Sequence, residues 1–297
     1  MVDPKATTLH ITIAGKDLTI EQSPSLLASS REGGTTGAGK PFPPAFRTPT
    51  LFPKYQVFSC FSFRQELMTY PLPVLWKLTP LFAQWLAWEG NWLFKGGFLS
   101  KGSTVLELGC GISGVVAMML APRVGRYVAT DQEYVFKCLR RNLDANAVTR
   151  KVTGGGKYGK RKKKEEVVVG ADVELLALDW ETSVLEGMEG LLGFDGIGEG
   201  KGLDMVLACD CVYNEALIGP FVRTCRELCR LSGRMGGERK TLCVVAQQLR
   251  SHAVFEAWLK AFQGGFRVWR VPDEMLVDGL KEGSGYVVHV GVLRDGV

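Results

Sequence analysis

The sequence contains little that would build a metal site or a disulfide framework. It has only three histidines, and none of its eight cysteines forms a Cys-X-X-Cys pair. Most of the cysteines lie within apolar runs, as Cys209 does in LDMVLACDCVY. We therefore expect reduced thiols in an intracellular protein, with no metal bound.

Long apolar runs are also missing. No stretch of about eighteen uncharged apolar residues occurs, so no membrane-spanning helix is predicted. The opening segment, MVDPKATTLH, is polar and includes an acid, which is unlike a secretory signal peptide. We expect a cytoplasmic protein without a membrane partner.

Basic charge is concentrated in one segment. The formal net charge is +5, and eight of the 36 Lys and Arg residues lie in 150–164. Removing these eight leaves 28 basic residues against 31 acidic ones, so the rest of the chain is slightly acidic. We predict a flexible basic loop at 148–171. Its run 157–164 would contact nucleic-acid phosphates or act as a nuclear address.

Two segments precede the regular part of the chain. Residues 8–22 alternate apolar and polar around Gly15, which predicts a hairpin, so that 1–40 form an N-terminal hairpin and loop.

Residues 41–73 hold seven of the 13 prolines among scattered aromatics, without the period of a helix or strand. We interpret 41–73 as an irregular insertion, disordered or peripheral. It is either a lid over the substrate groove or the translation of an unspliced intron.

The remaining residues, 74–297, alternate between strand and helix patterns. Strands are predicted at 103–109, 126–131, 173–180, 203–210, 241–248, 265–272 and 285–293. Helices are predicted at 74–88, 112–122, 132–147, 216–231 and 251–263. This alternation predicts an α/β domain with a doubly wound, mostly parallel seven-stranded sheet and an antiparallel pair at its edge.

The first strand of this domain ends in an acid and two glycines. Glu107 precedes Gly109, Cys110 and Gly111, which is formally the start of a GxGxxG fingerprint. The glycines allow a tight turn and the close approach of a ligand. An acid so near a buried strand needs a partner, and it suits a cationic amino-acid group better than a pyrophosphate.

The next strands also end in acids, at the edge where open α/β sheets bind ligands. Asp131 can accept both hydroxyls of a ribose or cap the following helix. Asp179 precedes Trp180, whose indole would stack on an adenine or belong to the core. Asp210 and Tyr213 follow the fourth strand, as substrate-side groups or as a cap and a packing residue.

Together these motifs resemble those of the seven-stranded class I methyltransferases and, within them, the family-16 lysine methyltransferases. The resemblance rests on ELGCG, ATDQ, ALDWE and ACDCVY, and it extends over roughly 74–145 and 173–293. It implies a Rossmann-like fold and S-adenosylmethionine as the cofactor. It also implies protein-lysine N-methylation of a large-subunit ribosomal protein. If the basic run 157–164 binds nucleic acid, we expect its ligand to be ribosomal RNA.

The resemblance further implies roles for individual residues. The cofactor-binding residues would be Trp76, Glu107, Gly109, Cys110, Gly111, Asp131, Asp179, Trp180 and Cys209. Asp210 and Tyr213 match the DxxY motif beside the target amine. Asp210 would position the ammonium group, and Tyr213 would form a wall of its pocket.

Other functions stay open at this point. A methyltransferase of another non-histone protein would carry the same motifs. A nicotinamide-dependent oxidoreductase would explain the glycines and Asp131, but not Glu107 or the DxxY motif. A methyltransferase that acts on nucleic-acid bases is disfavoured, because DCVY stands where such enzymes carry an Asn-Pro-Pro-aromatic run. A non-enzymatic ribosome-binding protein is also disfavoured, because the glycines and acids of the motifs are intact. We expect a monomer, in the cytoplasm and, if 157–164 is an address, in the nucleus.

Overall fold

The structure is a computed structural model. It describes residues 6–22, 75–152, 165–169, 172–183, 185, 202–234 and 240–296. Only the backbone is described for 148–152, 165–169 and 234. The insertion at 41–73 and the basic run at 157–164 lie outside the described residues, so both interpretations stay predictions.

The described elements follow the predicted alternation. The strands are β1 (Thr8–Ile13), β2 (Lys16–Glu21), β3 (Thr104–Leu108), β4 (Arg126–Asp131), β5 (Val148–Val152), β6 (Glu165–Val169), β7 (Val173–Ala177), β8 (Met205–Cys209), β9 (Leu242–Gln248), β10 (Phe266–Arg270) and β11 (Tyr286–Leu293). The helices are α1 (Leu78–Ala87), α2 (Trp92–Lys95), α3 (Val115–Leu120), α4 (Phe136–Ala145), α5 (Glu215–Arg234) and α6 (His252–Gly265).

Seven strands form one sheet in the order β10-β11-β9-β8-β3-β4-β7. The five strands from β9 to β7 are parallel, whereas β11 is antiparallel to both of its neighbours. The strand order reverses between β3 and β8, because the chain first moves outward to β7 and then returns. The doubly wound sheet and its antiparallel edge pair are therefore confirmed, with β11 one strand in from the edge.

The sheet buries both of its faces. In β3, Val105 faces the layer of α1, α3 and α4, whereas Leu106 and Leu108 face the layer of α5 and α6. Side chains alternate along a strand, so Glu107 lies on the same face as Val105. The two large core residues Trp85 and Trp258 fill the opposite layers and are fully buried.

The predicted N-terminal hairpin is confirmed, since β1 and β2 pair as antiparallel strands. The side-chain amides of Asn142 and Asn146, on α4 and at its end, bond to the backbone of β2 at Glu21 and Thr19, with distances of 2.7–3.0 Å. At the end of the hairpin, Gln22 Oε1 accepts a hydrogen bond from the backbone N–H of Leu75 at 2.9 Å. The described chain before 23–74 therefore meets the described chain after it.

Element boundaries differ from the predicted ones for local reasons. The helix predicted at 74–88 starts at Leu78, which places Pro80 in the first turn, where a missing N–H costs no hydrogen bond. The third strand stops at Ala177 instead of Trp180. The predicted loop at 148–171 has antiparallel strands, β5 and β6, at its two ends. Among the described helices, none is both long and apolar enough to cross a membrane.

Candidate functional site

The turn after β3 is built by three glycines with left-handed backbone conformations. Gly109, Gly111 and Gly114 have φ angles of +65°, +64° and +63°, a region that side chains disfavour. A β-carbon at Gly109 would lie 2.7 Å from Cys211 Sγ and 3.1 Å from a ring carbon of Trp180. At Gly111 no atom lies within 4 Å of such a β-carbon. The turn is therefore closely packed at Gly109 and open at Gly111.

Gly109→Ala is expected to destabilise the protein more than Gly111→Ala. Both changes add the cost of a left-handed alanine, about 1–2 kcal/mol. Only the change at Gly109 also forces Cys211 and Trp180 to move. The two free energies of unfolding, measured by urea denaturation, should differ by about 1 kcal/mol or more. Equal losses of stability in the two variants would show that Cys211 and Trp180 can move away from the added methyl group without an energetic cost.

Asp131 joins the end of β4 to this glycine turn. Its Oδ2 accepts the N–H of Gly111 at 2.8 Å, and its Oδ1 accepts the N–H of Gln132 at 2.7 Å. Burial raises the pKa of Asp131, and these two hydrogen bonds oppose the rise. Each carboxylate oxygen keeps a lone pair, so the group can still accept hydrogen bonds from two ligand hydroxyls.

Glu107 is a buried acid behind the turn, with 2% of its surface exposed. The hydroxyl of Tyr127 donates a hydrogen bond to its Oε2 at 2.7 Å. Burial raises the pKa of Glu107 to about 7, the Tyr127 bond lowers it, and repulsion from Asp131 adds to the rise. The carboxyl group of Glu107 therefore titrates close to neutral pH. A cation bound beside it would favour its charged form.

The end of β7 places Trp180 beside the turn. Its indole packs edge-on against Phe221, with ring centres 5.2 Å apart, and its carbonyl accepts a hydrogen bond from Arg223 at 3.0 Å. Asp179 Oδ1 accepts the N–H of Glu181 at 2.9 Å in the turn after the strand, and Gln132 Nε2 donates to Oδ2 at 3.4 Å. Trp180 is therefore held at the site, whereas Asp179 mainly shapes the local turn.

Asp210 has an ion-pair partner that was not predicted. Its side chain is 1% exposed, and Arg250 donates to Oδ1 at 3.0 Å and to Oδ2 at 2.5 Å. The N–H of Gln248 approaches Oδ1 at 3.3 Å. Asp210 also has a φ of +60°, a strained backbone conformation for a residue other than glycine. The predicted role of Asp210 beside the target amine stays a prediction, and the structure adds that Arg250 compensates its charge.

Arg250 also connects Asp210 to the segment before α1. Its guanidinium carbon lies 4.8 Å from the ring centre of Trp76, a cation–π contact. Trp76 and Tyr213 are both exposed, and their predicted roles at the cofactor and at the amine pocket stay predictions. The carboxyl edge of the sheet thus carries exposed aromatic side chains around a buried ion pair.

The two predicted cysteines behave as small apolar residues. Burial raises the thiol pKa of Cys110 and of Cys209 well above the usual value. Cys209 Sγ lies 3.9 Å from Thr79 Oγ1, and the N–H of Cys110 donates to the carbonyl of Thr130 at 3.0 Å. In the described parts of the chain, no group of three His, Cys, Asp or Glu side chains could hold a metal ion.

Comparison with known proteins gives one recurring name. No family model matches the sequence. A protein named ribosomal lysine N-methyltransferase 5 from Zygosaccharomyces rouxii is 31% identical over an alignment of 205 residues, and the match covers 63% of this chain and 62% of that protein. Further proteins of that name match at 25–30% identity.

Another relative carries a different name. A diaminohydroxyphosphoribosylamino-pyrimidine deaminase from Schizosaccharomyces pombe is 28% identical over 268 residues, covering 90% of this chain and 47% of that protein. The chain therefore spans less than two thirds of the length of both of these relatives. A solved TehB-like SAM-dependent methyltransferase from Corynebacterium glutamicum shares 14% identity and a TM-score of 0.41, covering 69% of this chain and 88% of that one.

The strand order, with a single antiparallel strand next to the edge, decides the fold. The chain has the class I methyltransferase fold. The resemblance inferred from the motifs is confirmed, both by this sheet and by the similarity to the lysine methyltransferases named above. In a methyltransferase fold, the edge that carries the glycine turn and Asp131 lies at the reversal of strand order, where ligands bind.

Sequence reasoning missed two residues of this edge. Tyr127 lies on the same face of β4 as Glu107 does on β3, so strand alternation contained a signal for their hydrogen bond. Arg250 lies in the loop after β9, and its distance along the chain from Asp210 left no signal in the sequence. The structure brings together Glu107, the glycine turn, Asp131, Trp180 and the Asp210–Arg250 pair.

Proposed function

We propose that this protein is an S-adenosylmethionine-dependent protein-lysine N-methyltransferase that acts on a large-subunit ribosomal protein. The observation that carries the proposal is the buried acid Glu107 behind a glycine turn whose N–H at Gly111 bonds Asp131. The two carboxyl groups can accept hydrogen bonds from the cationic amino-acid group and from the ribose hydroxyls of a ligand. The similarity to proteins named ribosomal lysine N-methyltransferase 5 supports the substrate class.

The residues at this edge fit the cofactor by their chemistry. The carboxyl group of Glu107 would bind its ammonium group, and the oxygens of Asp131 would accept the ribose hydroxyls. The open space at Gly111 allows a ligand to approach the backbone. Trp180 would offer a flat apolar surface to the adenine.

The cofactor, when bound, supplies a methyl group on a sulfonium centre. The attacking lysine must be neutral, although a lysine side chain has a pKa of about 10.4 in water. An unpaired carboxylate beside the amine would favour its charged form, but Arg250 compensates the charge of Asp210. The guanidinium and the apolar surroundings of Tyr213 both favour the neutral amine, so the paired state of Asp210 assists the reaction.

Glu107→Gln is expected to remove a pH dependence of stability. Because the pKa of Glu107 is about 7 in the folded state, above the usual 4.5, the contribution of Glu107 to stability is fully present below pH 4.5 and is lost as pH rises through about 7. Between pH 5 and 7 the wild type should lose about 1 kcal/mol per pH unit relative to the glutamine variant. Urea unfolding at a series of pH values measures this difference, and parallel curves would contradict the assignment.

Incubation with ribosomes tests the activity itself. Large ribosomal subunits from cells that lack this gene are incubated with the enzyme and tritiated S-adenosylmethionine, and the labelled proteins are identified by mass spectrometry. We expect label on a lysine of one ribosomal protein, and none with Asp131→Ala at a low cofactor concentration. Label confined to a non-ribosomal protein in a whole extract would replace the substrate. No transfer to any protein would overturn the proposal.

Three narrower features belong to the same proposal. The basic run 157–164 would hold ribosomal RNA by phosphate contacts, which weaken as salt rises. The enzyme would act as a monomer. It would work in the cytoplasm, where ribosomes are found, and in the nucleus if the basic run serves as an address.

A further inference from the structure

The pairing of Asp210 with Arg250 changes what Asp210 offers to the target amine. Each carboxylate oxygen of Asp210 accepts a hydrogen bond from Arg250, so the amine meets a carboxylate whose charge is already compensated. A neutral acceptor close to Tyr213 would complement this arrangement. The end of β9, which lies beside Asp210 in the sheet, contains such a group.

Gln247 is a buried amide with an unused acceptor. Only 2% of its surface is exposed, and its Oε1 has no hydrogen-bond partner among the described residues. A buried polar atom without a partner is costly and rare in native proteins. Four other buried side-chain atoms of the described residues also lack a partner, so it is the position of Gln247 beside the DxxY motif that makes its Oε1 a candidate ligand contact.

A small cleft borders this residue. It is lined by Gln247 together with Tyr213, Arg250, Ser251 and Phe255. Its enclosed free volume is about 20 Å³, enough for one polar group such as an amine or a water molecule. Phe255 supplies an apolar wall, and Arg250 supplies positive charge.

We propose that Gln247 accepts a hydrogen bond from the methyl-accepting amine of the substrate lysine. This inference rests on the proposed lysine methyltransferase function and names the residue that binds its amine. A neutral amide can orient the nitrogen lone pair without the preference for the ammonium form that a carboxylate would impose. Gln247 thus adds a neutral orienting group to the positioning role predicted for Asp210.

Gln247→Met tests the proposal, because methionine has nearly the same volume and lacks the amide. The substrate is again the large ribosomal subunit from cells that lack this gene. The kcat/KM of methyl transfer should fall about tenfold or more, because the amine loses a hydrogen bond and its orientation. The Kd for S-adenosylmethionine should stay within twofold. Since no protein hydrogen bond is removed, Tm should not fall. Gln263→Met, an exposed position on α6, is the matched control and should change none of these values.

A second measurement separates this inference from the proposed function. Titration of the protein with n-butylamine, which mimics the end of a lysine, should shift the side-chain amide resonance of Gln247 in an ¹⁵N NMR spectrum. The shift decides the inference even if no ribosomal protein is methylated, which would defeat the proposed function alone. An unshifted resonance, or full activity in Gln247→Met, would overturn the inference and assign the cleft to a water molecule.

Discussion

Arg250→Ala is expected to lower the free energy of unfolding by about 3 kcal/mol. The reason is that the side chain of Asp210, only 1% exposed, would lose the partner that compensates its charge. Breaking a buried ion pair in this way costs about 3–5 kcal/mol, and the lower figure suits a guanidinium that is 33% exposed. Urea denaturation at neutral pH measures the change.

A surface pair provides the matched control. Arg270 and Asp273 also form a close ion pair, but both side chains are more than one third exposed. Arg270→Ala should therefore cost less than about 1 kcal/mol. In the double variant Asp210→Asn with Arg250→Ala, much of the lost stability should return, because no buried charge is left. A loss in Arg250→Ala no larger than that of the control would show that Asp210 does not depend on Arg250.

Asp131→Ala should weaken the binding of S-adenosylmethionine by about 10- to 100-fold. Charge-assisted hydrogen bonds contribute about 1.5–3 kcal/mol, which corresponds to that range of Kd. The variant loses the expected contact with the ribose hydroxyls. It also leaves the N–H groups of Gly111 and Gln132 without the carboxylate that orders the glycine turn. Isothermal titration calorimetry measures the affinity.

Asp204→Ala is the control for this change. Asp204 Oδ2 also accepts a backbone N–H, from Thr104 at 2.8 Å, but at the opposite end of the strands. Its removal should leave cofactor affinity unchanged while lowering stability. If both aspartate variants bind the cofactor as the wild type does, Asp131 only orders the glycine turn and is not a ribose ligand.

Much of the sheet could be predicted because its central strands are buried on both faces. Runs such as LDMVLACD and TLCVVAQQ then mark strands by composition alone, and glycines and acids mark their carboxyl ends. Boundaries were less predictable, since single hydrogen bonds decide them. The bond between Asp179 and the N–H of Glu181, for example, accompanies the early end of β7.

The site could be predicted only where its residues follow the strands directly. Asp131 and the glycine turn are such residues, and the structure joins them by one hydrogen bond. The charge of Asp210 is compensated by Arg250, which lies in another loop, and the interest of Gln247 is that its acceptor has no hydrogen-bond partner among the described residues. A single sequence contains no pattern that would indicate an ion pair between two loops or an acceptor without a partner.

The hydrogen bond between Gln22 and Leu75 turns the intervening chain into a closed polymer loop. Loop closure costs conformational entropy that grows with the logarithm of loop length, about 0.6 kcal/mol for each doubling. Because the ends of this loop already touch, a chain without 41–73 could close the same contact over a shorter path. Folding would then cost about 1 kcal/mol less entropy. The hairpin would be tethered more tightly to the methyltransferase fold, whatever the origin of the inserted residues.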